Sequence, residues 1–150
     1  MDFPAISSLI PHRDPMLLVD SIKTYSAGEG LTTVTAVSDD AFWVRGHFPG
    51  NPVMPGVLIT ETLAQTCAAF MAMESQDNPA TVAQVYLLLR TDMRFIKPVA
   101  PGMVMECQIM REEQSDAFDV FRVRATVNGE CCARGKLTVA CRPQQGVAAI

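Results

Sequence analysis

The stretch from Pro55 to Glu74 carries Val57, Leu58, Ile59, Leu63, Ala64, Cys67, Phe70, Met71 and Met73, apolar residues that fall on every side of a helix. A helix apolar all round has no face to offer water, so the rest of the chain must enclose it. Proline suits a first helical turn, and Asp77-Asn78-Pro79 halts the chain beyond it. A chain of 150 residues has room for one compact domain. Whatever covers this helix must therefore come from the segments on either side.

Those segments read as strands. Leu17-Leu18-Val19 opens an apolar run toward Tyr25 that stops at Ala27-Gly28-Glu29-Gly30. From Leu31 to Val37, Leu31, Thr33, Thr35 and Val37 alternate with Thr32, Val34 and Ala36, which predicts a strand paired hairpin-like with the first. Beyond the helix, Val82–Phe95, Val104–Glu112 and Phe118–Val127 have strand composition, and Asn128-Gly129 is a two-residue hairpin signal leading into Cys131–Val139. One buried helix with an antiparallel sheet curled round it is an α+β layout. Residues 1–142 form a single domain in this reading, and 143–150 a flexible tail.

Composition narrows the partners. A net charge of -4, with no basic stripe, argues against nucleic-acid binding. Apolar residues make up 49% and charged ones 19%, so some apolar surface remains for a second subunit. Met1-Asp2-Phe3-Pro4 lacks the positive flank of a secretory signal, and the uninterrupted apolar run Cys67–Met73 is too short to span a bilayer. The expectation is a cytoplasmic protein that does not enter a membrane. The five cysteines have no metal-ligand spacing and only two histidines to assist them, which predicts free thiols and no metal site.

Three features could carry chemistry. Glu61 is a carboxylate set within the apolar helix, where burial demands that it be neutral, paired or functional. Gln65, one turn later on the same face, can hydrogen-bond to it, and a purely structural Glu–Gln pair is the competing reading. Upstream, the eleven residues Gly46 to Gly56 contain three prolines and three glycines, and hold His47 in a stiff loop feeding that helix. Gly56 falls at the helix start, where free N–H groups and the helix dipole favour an oxyanion. A base, an acid and an oxyanion donor suit proton abstraction next to a carbonyl.

The segment Gly46-His47-Phe48-Pro49-Gly50, followed by Pro52-Val53-Met54-Pro55-Gly56-Val57-Leu58 and then Glu61 and Gln65, closely resembles the FabZ type of β-hydroxyacyl-acyl-carrier-protein dehydratase. Leu9-Ile10-Pro11-His12-Arg13-Asp14-Pro15-Met16-Leu17-Leu18-Val19-Asp20 is similar to that family's amino-terminal signature, and Arg94 to Gly102 to its turn after the helix. The likeness spans roughly residues 9 to 140. It implies a hot-dog fold, a sheet of five to six strands wrapped around one central helix. It implies a homodimer with one extended sheet and active sites at the interface, each joining the histidine of one subunit to the glutamate of the other. Dimers would assemble further into a hexamer, a trimer of dimers.

By the same resemblance, the reaction is dehydration of a (3R)-3-hydroxyacyl thioester to the trans-2-enoyl thioester in fatty acid or related polyketide and secondary-lipid synthesis. His47 would remove the C2 proton, Glu61 would protonate the departing hydroxyl, and the Gly56 N–H would hold the enolate oxygen. Phe48, Pro49, Val53, Gln65 and Tyr86 would line the substrate site. The substrate would arrive on the phosphopantetheine arm of an acyl carrier protein, with no other cofactor, and Arg90, Arg94 and Lys97 are the candidates to meet that acidic partner. His12 reads as structural in this scheme. Two departures stand out: Leu88 and Leu89 replace small residues and would narrow or redirect the acyl channel, while Ile96 and Met103 replace a usual arginine and aspartate. A thioesterase of the same fold, or a non-catalytic acyl-binding or partner subunit, are the competing functions.

Overall fold

The computed structural model describes residues 2–75 and 84–143. After a short 3-10 turn, Ile6–Ser8, the chain forms β1 (Ser21–Ser26) and β2 (Gly30–Ala36), then α1 (Gly56–Glu74). Four long strands follow: β3 (Gln84–Phe95), β4 (Val104–Gln114), β5 (Asp119–Val127) and β6 (Glu130–Pro143). All pairings are antiparallel, in the order β1-β2-β4-β5-β6-β3. The α+β layout of one helix enclosed by a six-stranded sheet is thus the architecture formed.

The helix lies where its composition requires. Leu63, Cys67, Ala69 and Phe70 are completely buried, and Phe70 packs edge-on against Phe121 of β5 at 5.9 Å. Such an aromatic pair adds about 1 kcal/mol beyond its buried area. By length and hydropathy the 19-residue α1 could itself cross a bilayer, although its longest unbroken apolar run could not, but most of it is buried in the sheet. The alternation in β2 points the expected residues inward: Leu31, Thr33, Thr35 and Val37 are all buried. Their hydroxyls are satisfied, Thr33 by Thr66 of α1 at 2.8 Å and Thr35 by the Leu18 carbonyl at 2.8 Å.

Element boundaries differ from expectation in instructive ways. Leu17 to Val19 precede β1, because the Leu18 N–H and the Met16 carbonyl are taken by the Gln65 side chain of α1. At the other end β6 continues through Arg142 to Pro143, where Pro143 faces Gln84 of β3. Pro143 thus belongs to the sheet rather than to a tail, and residues 144–150 lie outside the described residues, as do Asp77-Asn78-Pro79 and the expected strand start at Val82. The Asn128-Gly129 turn has positive φ at both residues, 51° and 79°, which suits a tight β5–β6 hairpin. All five cysteines are free, and burial pushes the Cys107 thiol up to about 12.

Strand β3 ends the sheet, and its outer edge is open. Leu88, Leu89 and Phe95 on it are 40%, 51% and 49% exposed. An unpaired edge strand that carries exposed apolar side chains among its polar ones invites a second strand.

Candidate active site

The loop before α1 folds back on itself to present His47. The His47 N–H donates to the Trp43 carbonyl at 2.9 Å, Phe48 and Asn51 exchange backbone hydrogen bonds, and Val53 N–H returns to the His47 carbonyl at 2.7 Å. The ring is clamped as well: Nδ1 lies 2.7 Å from the Val53 carbonyl oxygen, and Phe48 stacks on it at 4.1 Å. A carbonyl can only accept, so Nδ1 carries the hydrogen and Nε2 keeps its lone pair when the ring is neutral. The ring is thereby oriented and held in the tautomer a proton acceptor needs.

His47 lines an open cavity of about 350 Å³ together with Val53, Gly56, Ile59, Phe95 and Ile96. Among the described residues, helix α1 begins at Gly56 with no side-chain cap, and no backbone carbonyl takes the Gly56 N–H. A Cβ at Gly56 would lie 3.1 Å from the Phe95 ring, so a larger residue here would have to push that ring aside by a few tenths of an ångström. The uncapped start of a 19-residue helix at Gly56 and the His47 ring therefore line one groove.

Glu61 faces elsewhere. Five residues at about 100° each turn it roughly 140° around the helix from Gly56. Its side chain is 26% exposed, at the margin of the core rather than sunk within it, because this face of α1 meets the amino-terminal segment instead of the sheet. Gln65 Nε2 donates to Glu61 Oε2 at 2.9 Å and to the Met16 carbonyl at 2.7 Å, while Gln65 Oε1 accepts the Leu18 N–H at 2.9 Å. Every polar atom of the fully buried Gln65 side chain is therefore engaged. His12 stands on the other side, its Nε2 3.6 Å from the same Glu61 oxygen. Within one chain the His47 groove does not include Glu61.

The FabA-like domain model matches residues 10–136. The 3-hydroxyacyl-[acyl-carrier-protein] dehydratase FabZ of Bordetella petrii is 37% identical, covering 95% of this chain and 96% of the relative. That of Polynucleobacter necessarius is 39% identical, over 95% and 93%. The chain belongs to the FabA-like family, in its FabZ branch. Among solved structures, the dehydratase heterocomplex ApeI:P from Xenorhabdus doucetiae superposes with a TM-score of 0.85 at 18% identity, covering 99% of this chain and 97% of that one. A mutant thioesterase from Pseudomonas aeruginosa superposes at 0.66 and 16%, covering 95% and 96%. Both likenesses speak to the hot-dog fold alone.

The other residues expected at the site divide. Phe48, Val53 and Gln65 touch His47 or Glu61, while Pro49 is exposed beside the loop. Tyr86 is not brought to the groove. It sits nine residues along β3 from Phe95, about 30 Å away, opposite Cys141, and burial raises its hydroxyl well above the usual range. Leu88 lines a second groove of about 580 Å³ with Val57, Thr60 and Phe95, beside the His47 groove.

The basic surface is also arranged differently from expectation. Lys97, which lines the His47 groove, forms an exposed ion pair with Glu130. Arg94 instead lies opposite Arg134 of β6, which lies opposite Arg124 of β5. None of these three arginines has a carboxylate within ion-pair distance among the described residues, whereas the neighbouring Arg122 and Lys136 share Glu112 at 2.7 and 3.0 Å. The row opens on a cavity of about 510 Å³ on the outer face of the sheet. Sequence reasoning could not find it, because cross-strand register alone aligns residues 94, 124 and 134. His12, read from the sequence as structural, lies 49 residues from Glu61, and only the docking of its loop on α1 brings the two together.

Proposed function

We propose that this protein removes water from a (3R)-3-hydroxyacyl thioester carried on an acyl carrier protein, giving the trans-2-enoyl thioester. The observation that carries the reading is the commitment of His47 Nδ1 to the Val53 carbonyl, which frees Nε2 in a groove that also holds the Gly56 N–H. Nε2 takes the C2 proton, and the released electron pair moves onto the thioester oxygen, where the Gly56 N–H steadies it. The pair then returns to form the C2–C3 double bond as the C3–O bond breaks. Glu61 gives its proton to the departing hydroxyl, which leaves as water. Solvent afterwards takes the proton from His47 and restores that of Glu61.

Since His47 and Glu61 face apart within one chain, the reading takes them from two copies. The open, apolar edge of β3 is the surface on which a second β3 would pair, extending the sheet through the dimer. Dimers would assemble further into a trimer of dimers, in the cytoplasm, and no cofactor other than the carrier's phosphopantetheine arm takes part. The carrier protein would meet the arginine row of residues 94, 124 and 134, with Arg90 nearby on the same strand and Lys97 at the His47 groove. The pathway is fatty acid synthesis or a related polyketide route.

The test is addition of water to a 2-enoyl thioester by the purified protein, followed as loss of enoyl absorbance and in parallel as release of free thiol. Hydration without thiol release supports the dehydratase. Thiol release without hydration would make the protein a thioesterase, and neither reaction would make it an acyl-binding or partner subunit.

A further inference from the structure

We propose that His12 is a positioning residue for Glu61, holding one carboxyl oxygen so that the other is reserved for substrate; this rests on the acid role proposed above. The ring reaches Glu61 from a loop 49 residues away, with Nε2 3.6 Å from Oε2. Gln65 holds the same oxygen at 2.9 Å. No protein group among the described residues takes Oε1. With a neutral ring, the nitrogen facing a carboxylate is the one that carries hydrogen. Gln65 thus hydrogen-bonds Oε2, His12 Nε2 stands within polar-contact distance of the same oxygen but beyond hydrogen-bond range, and no hydrogen bond engages Oε1 among the described residues.

Two further observations set His12 apart from a residue that merely fills space. Its Nδ1 is buried with no partner among the described residues, an arrangement that costs stability and calls for a compensating role. The loop, in contrast, does not need the ring. Arg13 staples it through the carbonyls of Ser7, Ile10 and His12 at 2.9, 2.9 and 2.6 Å. Burial is the largest influence on the ring and lowers its proton affinity; Glu61 opposes that, and Arg13 adds to it. The net effect is to disfavour the charged ring.

Three variants separate the donor from the shape, assayed as whole protein for hydration of crotonyl thioester. His12→Phe keeps a flat ring and removes the donor. His12→Gln places an amide N–H near the position of Nε2, and His12→Asn places it near Nδ1 instead. If the polar contact at 3.6 Å tightens to a hydrogen bond when substrate binds, its loss predicts that His12→Phe and His12→Asn each lose roughly tenfold in kcat with KM within about twofold of the parent. His12→Gln should recover most of that loss. Parent-like kcat in His12→Phe or His12→Asn, or equal impairment of Gln and Asn, would overturn the inference, as would a loss confined to KM. Should the Phe variant not fold, the Gln–Asn comparison decides alone. An inactive parent would instead defeat the dehydratase reading, and an active parent with an active Glu61→Gln variant would defeat the acid assignment, so these failures are distinguishable.

Discussion

The Gln65 amide donates to Glu61 Oε2 at 2.9 Å while its carbonyl accepts the Leu18 N–H, tying the carboxyl of α1 to the strand-like segment before β1. A side chain that is completely buried yet fully hydrogen-bonded is a stiff support. It fixes Glu61 from its own helix, as the loop hydrogen bond at Val53 fixes His47.

Glu61→Gln and His47→Ala are expected to keep the fold and to lose at least about 100-fold in hydration of crotonyl thioester. Circular dichroism and ultraviolet assay of the same preparations check both halves of the statement. Full activity in either variant ends the assignment.

If His47 and Glu61 meet across two copies, the two inactive variants should complement one another. In a randomly mixed population half the dimers are hybrids, each with one intact site, so about a quarter of parental activity should return. Mixing after reversible dissociation, or co-expression with two tags, measures this. No recovery in verified hybrids would place both groups in one chain's site.

If the arginine row docks the carrier, it sets stability against recognition. Like charges directly opposite on adjacent strands repel, so Arg134→Glu should raise stability by about 0.2–1 kcal/mol in urea unfolding. The same change should weaken turnover of carrier-bound substrate by raising KM, with little effect on a pantetheine analogue, and the difference should shrink at high salt. Equal effects on both substrates would remove the row from carrier docking.

Leu88 lines the groove next to His47 and is partly exposed, so truncation there creates space rather than a core cavity. Leu88→Ala should shift the preferred acyl chain toward longer thioesters. A series of thioesters of increasing length gives the profile, and an unchanged profile would clear Leu88 of any part in selection.

Arg111 serves the fold at the far end of α1. Its Nε lies 3.2 Å from Asp119, Nη1 reaches Glu74 at 3.5 Å, and the guanidinium sits 4.8 Å above the Phe70 ring. Arg111→Met should cost about 3 kcal/mol by leaving the buried Asp119 carboxylate without its cation. Burial already raises the Asp119 carboxyl, and Arg111 holds it down in part. Without Arg111 the folded state binds this proton at a higher pH than the unfolded chain, so the variant should gain stability as pH falls toward the usual Asp value near 3.8. Urea midpoints at two pH values test the sign.

Much of the molecule was legible from residue order because its determinants are local. The all-round apolar character of α1, the alternation of β2, the Asn128-Gly129 turn and the helix-start glycine depend on neighbours a few positions away. So does the Glu61–Gln65 spacing of one helical turn. The sequence also determined that His47 sits in a constrained loop, since prolines and glycines restrict the backbone wherever the chain packs. Tertiary structure alone decided that His12 lies beside Glu61, that Tyr86 lies far from the groove, and that Arg94, Arg124 and Arg134 form one row. These depend on strand register and on how a loop docks against a helix, which arise from packing the whole core and leave no periodic trace in the chain.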